Sequence, residues 1–231
     1  MKRSIALFFV GLFLPAAADA CLVGITISAS DGTNTASRNF AAEITGEGLQ
    51  RVSLVDQDIV LFDDAAIEGL AIRLDEDPEV GIEFAVRAGN SETTFTITSE
   101  VLEFDALTNP SAYASAGVTL SDRTPTNGAA ITGLFDGGKM HQAKYNGSIV
   151  WANLVGSFAV TNNTLTISES RPASGDEIIN DTLTSIESQF KFKLSAKDAA
   201  AGTSTFAVIP EPATMALLGL GGIGFLRRKL N

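Results

Sequence analysis

Cysteine, histidine, tryptophan and tyrosine are scarce in this chain of 231 residues. Cys21 is the single cysteine, so no disulfide can form within the chain and the fold must rest on its hydrophobic core. His141 is the single histidine, which excludes a metal site built from several imidazoles. No Gly-x-Ser-x-Gly element accompanies His141 to suggest a Ser-His-Asp arrangement. We therefore predict that the protein is not an enzyme.

Basic residues are also few, and several of them lie at the two ends of the chain. The segments 1–20 and 210–231 hold five of the 16 basic and two of the 27 acidic residues, which leaves residues 21–209 with a net charge of −14. A surface this acidic repels phosphate backbones, so nucleic acid is excluded as a partner. Hydrophobic residues nevertheless make up 45% of the chain, including 14 Phe, which is enough for a substantial core.

Residues 1–20 have the features of a secretory signal peptide. Lys2 and Arg3 form a positively charged start, residues 5–14 are an apolar stretch too short for an ordinary membrane span, and Pro15 ends that stretch. The segment predicts export through the Sec translocon.

Signal peptidase cleavage is expected after Ala20, because Ala18 and Ala20 place small side chains at the two positions that the enzyme recognises. Cys21 would then be the first residue of the mature protein. The charged Asp19 departs from a lipoprotein signal, so a free thiol or an intermolecular disulfide at Cys21 is the simpler expectation, with lipidation as the alternative.

The C-terminal segment 210–231 combines a short motif, a hydrophobic stretch and a basic end. Residues 213–226 carry no charge, and a helix of this length would reach about 21 Å, less than the hydrocarbon core of about 30 Å. The basic end would stay in the cytoplasm, with residues 21–209 on the far side of the membrane. The elements of the predicted sorting and processing motif are Pro210, Glu211, Pro212, Arg227, Arg228 and Lys229.

This C-terminal segment resembles the PEP-CTERM sorting signal of Gram-negative-type bacteria, because tripeptide, hydrophobic stretch and basic end occur in the same order. The resemblance implies recognition by an exosortase, transient tethering in the inner membrane through the hydrophobic helix 213–226, and processing near Pro210-Glu211-Pro212. It also implies association with extracellular polysaccharide and biofilm matrix. The same tail has been labelled an ice-binding protein C-terminal domain, a label that describes the tail alone.

Apolar and polar residues alternate along most of residues 21–209, which is the pattern of half-buried β-strands. Turn-forming pairs such as Asp31-Gly32, Asn127-Gly128 and Asn146-Gly147 separate these stretches. The pattern predicts an all-β antiparallel sandwich of jelly-roll type with about ten short strands, and short helical turns at 63–68 and 197–201. The predicted strands are 22–28, 50–62, 67–74, 80–88, 93–104, 112–121, 148–154, 158–168, 185–195 and 204–209.

Few residues of this predicted sandwich suggest a ligand. Asp75, Asp77 and Glu79 could hold Ca²⁺ through hard oxygen ligands, although a solvated run of acids between two strands explains them more simply. Tyr145 lies beside a predicted turn and is a candidate surface contact, whereas Trp151 is expected in the core.

A secreted hydrolase would need two carboxylates in one cleft, which could come from Asp56, Asp58, Asp63 and Asp64 or from Glu100 and Glu103. Their spacing singles out no pair. We therefore expect an exported, non-enzymatic structural or adhesive protein of the cell surface, outer envelope or matrix. A carbohydrate- or Ca²⁺-binding module is the alternative, and a hydrolase is the third possibility.

Overall fold

A computed structural model describes residues 23–41, 43–44, 50–54, 58–75, 77–124 and 127–210. The predicted signal peptide, Cys21 and the chain from Glu211 onward lie outside these residues, as does the hydrophobic helix predicted at 213–226. Within the described ranges, no helix has the length and hydrophobicity that crossing a membrane requires.

The described residues form eighteen β-strands and one 3-10 turn, Asp136–Gly138. The first nine strands are β1 (Val23–Ser30), β2 (Thr35–Ala41), β3 (Glu43–Ile44), β4 (Gln50–Leu54), β5 (Ile59–Phe62), β6 (Ala65–Asp75), β7 (Glu79–Arg87), β8 (Thr93–Ser99) and β9 (Leu102–Thr108). The remaining strands are β10 (Ser111–Ser121), β11 (Ala129–Gly133), β12 (Lys139–Tyr145), β13 (Ile149–Gly156), β14 (Phe158–Val160), β15 (Thr164–Arg171), β16 (Glu177–Ile178), β17 (Thr182–Leu194) and β18 (Ala199–Ile209).

The strands form two antiparallel nine-stranded sheets, which confirms the predicted all-β sandwich. Sheet A has the order β13-β12-β17-β8-β1-β2, and β9, β11 and β14 join it off this path. Sheet B has the order β15-β10-β18-β7-β6-β4-β3, and β5 and β16 join it off this path. The central partners β8 and β17 of sheet A, and β10, β18 and β7 of sheet B, are distant in sequence, so most of the pairing is long-range.

The core lies between the two sheets and is filled by alternate residues of the central strands. Burial alternates residue by residue along β8 and β10, as a strand with one face in the core requires. Phe84 of sheet B packs against Phe190 and Phe192 of sheet A, with ring centroids 4.9 and 5.7 Å apart. Trp151 stacks on Phe206 at 5.4 Å and is buried, as the sequence predicts.

Gly202 on β18 provides the space that Phe84 occupies. The two residues are register partners, and a Cβ atom at position 202 would lie 2.5 Å from the Cε1 and Cζ atoms of Phe84. The Phe84 ring therefore lies over Gly202, and it fits there only because residue 202 has no side chain.

The two ends of the described chain leave the sandwich on the same side. The short loop between Arg87 and Thr93 joins sheet B to sheet A, so the end of β7 and the start of β8 lie on one side. Ile209 lies near Glu79, at the opposite end of β7, because Ala207 pairs with Glu79. Ile25 pairs with Ser99, which puts the start of β1 at that same end. We call this end the tail pole, and the end that carries residues 31–34, 63–64, 88–90, 123–124 and 196–198 the distal pole.

Several local predictions are wrong. Both predicted helical turns are extended or hairpin structure: Asp63 and Asp64, with φ of 42° and 67°, form the turn between β5 and β6, and residues 199–201 open the central strand β18. The stretches 50–62, 93–104 and 158–168 each hold two strands instead of one. In addition, β2, β3, β11, β12 and β16 were not predicted, and the strand count of about ten is too low.

Candidate functional site

The outer face of sheet B carries mostly small side chains across five strands. One row of register partners runs Ser168, Gly117, Thr203, Glu83 and Ala71, from β15 through β10, β18 and β7 to β6. A neighbouring row runs Thr166, Thr119, Ala201, Ala85 and Gly69. We call this surface the small-residue face.

Because most of its side chains are small, the small-residue face forms a shallow, open trough. One depression of about 450 Å³ lies over the two rows just described. A second of about 480 Å³ adjoins it over Arg73, Gly81 and Thr205, and a third of about 330 Å³ over Ser115 and Ser170. Thr203 lines all three depressions.

Hydroxyl groups supply most of the polar chemistry of the face. The hydroxyls of Thr119 and Thr166 bond each other at 2.8 Å, and Thr203 stands in the middle of the trough. Glu83 is the carboxylate at its centre. A broad, shallow surface with hydroxyl donors and acceptors suits contact with an extended polar ligand or another flat surface, and does not enclose a reacting group.

The tail-pole end of the face holds the acids that the sequence suggested as calcium ligands. The Arg73 guanidinium bonds Asp75 at 2.8 Å and lies 3.3 Å from Glu79, and Asp75 also accepts the backbone N–H of Asp77 at 3.3 Å. The Asp75 hydrogen bond and the Glu79 charge raise the pKa of Arg73. No group of three or more metal-ligating side chains converges anywhere in the described residues. Two of the three candidate acids thus contact an arginine in the structure.

His141 lies in the core and belongs to a buried hydroxyl network. Its Nε2 lies 2.8 Å from the Ser188 hydroxyl, which in turn lies 3.2 Å from the Ser204 hydroxyl across the sandwich. Burial lowers the pKa of His141 to about 3, and its Nδ1 has no hydrogen-bond partner. A neutral imidazole fully enclosed by core residues cannot reach a substrate, so this serine-histidine contact is structural.

The remaining sequence candidates lie apart from the small-residue face. Tyr145 ends β12 beside the Asn146-Gly147 turn, is partly buried against the core, and has its pKa raised by burial and by the nearby Asp181 carboxylate, to which its hydroxyl bonds. Glu100 follows β8, and burial raises its pKa, while Glu103 lies exposed on β9. Asp56 and the residues Ala18, Ala20 and Cys21 lie outside the described residues.

The sequence does contain a pattern that indicates the small-residue face, but the alternation of apolar and polar residues alone does not reveal it. The outward positions of β7 read Gly81, Glu83 and Ala85, and those of β18 include Ala201 and Thr203. Strands exposed on one face usually place long polar side chains there, so a run of Gly, Ala and Thr at those positions is informative. That these rows lie side by side depends on pairing between distant strands, which one sequence does not give.

The C-terminal segment matches a family model described as a PEP-CTERM protein-sorting motif, over residues 208–229. The match starts within β18 and continues through the predicted tripeptide, hydrophobic stretch and basic end. It confirms the predicted resemblance and identifies the chain as carrying the sorting signal of an exported, exosortase-processed protein of Gram-negative-type bacteria.

Comparisons with the rest of the chain are weak. No curated protein matches it. A structure of the infectious bursal disease virus Gt strain shares 13% identity, with a TM-score of 0.23, over 86% of this chain and 62% of that one. A structure of the Gx strain shares 10% identity, with a TM-score of 0.17, over 84% and 67%. The chain thus spans less than two thirds of the first of these structures, and similarity at this level supports no argument about function.

Proposed function

We propose that this protein is a cell-surface or extracellular-matrix component in which a non-enzymatic β-sandwich serves a structural or adhesive role. The observation that carries the proposal is the position of the sorting motif, which begins in the last two residues of the last strand. An exosortase acting there would release or transfer the sandwich as one unit. Sec translocon, signal peptidase and exosortase are the partners expected during delivery, and extracellular polysaccharide is the expected partner afterwards.

The small-residue face is the surface through which we propose that the delivered sandwich makes contact. It extends over the central strands of sheet B, where bulky or charged side chains would prevent close approach, and its tail-pole end lies nearest to the sorting segment. Hydrophobic burial between the sheets supplies stability without a ligand, so the outer face is free to be specialised for contact.

Blocking this face tests the adhesive role. Thr203→Arg places a long cation in the middle of the trough, and Thr132→Arg places the same change on an exposed position of β11 in sheet A. We expect Thr203→Arg to move the protein from the cell surface and matrix into the medium, while Thr132→Arg behaves as the unchanged protein. Immunoblots of cell, matrix and medium fractions measure this. Equal retention of both variants would contradict a role for the face.

Carbohydrate binding is the second candidate function, favoured by the hydroxyl rows of the trough and by Tyr113, which pairs with Ala207 at its tail-pole end. Burial, followed by the charge of Glu79, raises the pKa of the Tyr113 hydroxyl, so it remains a neutral hydrogen-bonding group at neutral pH. A glycan array probed with the unchanged protein and with Thr203→Arg distinguishes the two functions. Glycan binding by the unchanged protein that Thr203→Arg lacks would support carbohydrate recognition. If neither protein binds a glycan, the structural role is favoured.

A further inference from the structure

A polar groove of about 380 Å³ lies at the distal pole, on the opposite side of the sandwich from the sorting segment. Its size falls within the range of about 300–1,000 Å³ that is usual for small-molecule sites. The residues that line it are Asp64, Arg87, Ala88, Gly89, Asn90, Arg123, Thr124 and Lys197. Residues 21–209 contain 11 basic and 25 acidic residues, yet three cations line this groove beside the Asp64 carboxylate, and two of the cations, Arg87 and Arg123, also contact Glu68.

Two of the three cations, Arg123 and Lys197, belong to segments that the fold holds in place. The backbone N–H of Arg123 donates to the buried Asp198 carboxylate at 3.1 Å, and the Arg123 guanidinium bonds Glu68 through two contacts of 2.7 and 2.8 Å. Lys197 has a φ of 67° in the turn before β18, and its N–H donates to Gly89 at 2.8 Å. Such an arrangement presents the cations without first having to order a loop.

Two of these cations, Arg87 and Lys197, could form further hydrogen bonds or ion pairs. The Nε atom of Arg87 is buried without a hydrogen bond and lies 3.7 Å from the Glu68 carboxylate, and the Nη2 atom of Arg87 lies 3.8 Å from Asp58. Lys197 forms no ion pair with any residue that the structure describes. The Arg87 side chain is 31% exposed, so a ligand carboxylate that meets its terminal nitrogens would replace the long Asp58 contact with a charge-assisted hydrogen bond.

The neutral and acidic side chains around the cations further limit the class of ligand that the groove could bind. Asn90 supplies an amide that contacts Asp64 at 3.5 Å, and Thr124 supplies a hydroxyl. Amide, hydroxyl and carboxylate side chains are the usual partners of ligand hydroxyls, whereas arginine and lysine are the usual partners of ligand carboxylates. A ligand that carries both groups on one compact ring fits this combination.

We propose that the distal groove binds the carboxylate and ring hydroxyls of a uronate-type sugar. Arg87 and Lys197 would contact the carboxylate, Asn90 and Asp64 would contact the hydroxyls, and Glu68 would hold Arg123 at the rim. The proposal is independent of the small-residue face. Since both chain ends leave at the tail pole, this groove would point away from the membrane during sorting and away from any attachment made through the tail.

Calorimetry on the full chain in mild detergent tests the proposal, with tri-galacturonate as the probe and its methyl ester as the uncharged control. We expect the acid to bind, the ester to bind about tenfold more weakly or not at all, and added salt to weaken binding. Lys197→Asn removes the charge with a residue that tolerates positive φ, and should weaken acid binding about tenfold. Arg38→Gln on β2, an equal change in net charge elsewhere, should have little effect.

Three results would overturn the proposal. The first is no heat from about 10 mM tri-galacturonate, a concentration that would fill even a millimolar site. The second is equal affinity for acid and ester, or equal losses in Lys197→Asn and Arg38→Gln. The third is tighter binding of tri-glutamate, which would assign the groove to acidic peptide. Melting curves show whether Lys197→Asn is folded, and the salt dependence of the unchanged protein needs no variant. The two proposals fail separately: a protein that does not bind the uronate could still be exported, and a protein that is not exported could still bind the uronate.

Discussion

At the scale of single residues, the buried His141 bonds Ser188, which contacts Ser204 of the opposite sheet, and the burial of His141 should make stability depend on pH. The unfolded chain titrates this histidine near pH 6.5, whereas burial lowers its folded pKa to about 3. Between these values the unfolded state binds a proton that the folded state does not accept. The contribution of His141 to stability is therefore complete above about pH 6.5 and is lost as the pH falls toward about 3.

The first prediction follows from that sign. The free energy of unfolding should fall by up to about 1.4 kcal/mol for each pH unit between about pH 6 and pH 4 because of His141 alone. His141→Gln keeps a group that can bond Ser188 but does not titrate, so its stability should fall less steeply. Urea unfolding of both proteins at several pH values measures the difference. Parallel curves would mean that His141 is not buried as a neutral side chain.

Gly202 gives a second prediction at this scale. Gly202→Ala places a methyl group 2.5 Å from the Phe84 ring and should destabilise the fold by about 1–3 kcal/mol, because the ring must leave its place against Phe190 and Phe192. Gly156→Ala is the matched control, since a Cβ there meets nothing within 4 Å. Thermal melts of the two variants should differ clearly, and equal melting temperatures would contradict the packing.

At the scale of elements, Glu169 joins the edge of sheet B to sheet A. Its carboxylate accepts from the backbone N–H of Val155 at 3.0 Å and from Lys139 at 2.8 and 2.6 Å. Burial raises the pKa of Glu169, but Lys139 and the N–H groups of Val155 and Gly156 outweigh it, so the pKa lies below its ordinary value. Val155 is buried with a φ of 60°, an uncommon conformation for a β-branched residue. The carboxylate thus stabilises a strained turn of β13.

The third prediction is that Glu169→Ala destabilises the protein by about 1–3 kcal/mol, since the Val155 N–H loses its partner. Glu177→Ala removes a carboxylate of similar exposure that pairs with Arg171, and should change stability much less. Chemical unfolding at neutral pH compares them. The advantage of Glu169 over alanine should shrink as acid protonates the carboxyl, because a group with a lowered pKa stabilises above its unfolded pKa and stops doing so as the pH falls.

Sequence periodicity predicted the central strands well and the irregular ones poorly. Residues 80–88 and 112–121 alternate cleanly and form β7 and β10 almost as predicted. In β12, Met140 and His141 are both buried, which breaks the alternation, and β2 is an edge strand with five of its seven residues exposed, on which only Ala36 and Phe40 are partly buried. The alanines at 199–201 favour helix locally, yet they pair with β7 and β10, so tertiary pairing overrides local preference.

The candidate sites could not be predicted from the sequence, because they too depend on pairing between distant strands. The small-residue face takes its rows from residues near 70, 83, 117 and 203, and the distal groove takes its cations from three separate loops and strand ends. Each residue is unremarkable alone, and only long-range strand pairing puts them together. The sorting motif, by contrast, is contiguous, and the sequence alone was enough to find it.

At the scale of the whole molecule, the proposed function assigns delivery to one end of the sandwich and display to the other. Val23 and Pro210, the first and last residues that the structure describes, both lie at the tail pole, so in the proposed function the distal pole would face away from the membrane. This arrangement also predicts that replacing Pro210, Glu211 and Pro212 by alanine leaves the sandwich folded but unprocessed. Melting temperature and apparent mass of the recovered protein would show this, and processing at the usual position would contradict it.

The most direct test of the account is the intact mass, with both termini sequenced, of the protein recovered from the envelope and medium of its native cells. The account predicts a chain that starts at Cys21 and ends near Pro210-Glu211-Pro212, because a signal peptidase removes one end and an exosortase processes the other. A chain that still ends at Asn231 would contradict processing, and the role of the protein would then have to be sought at the membrane itself.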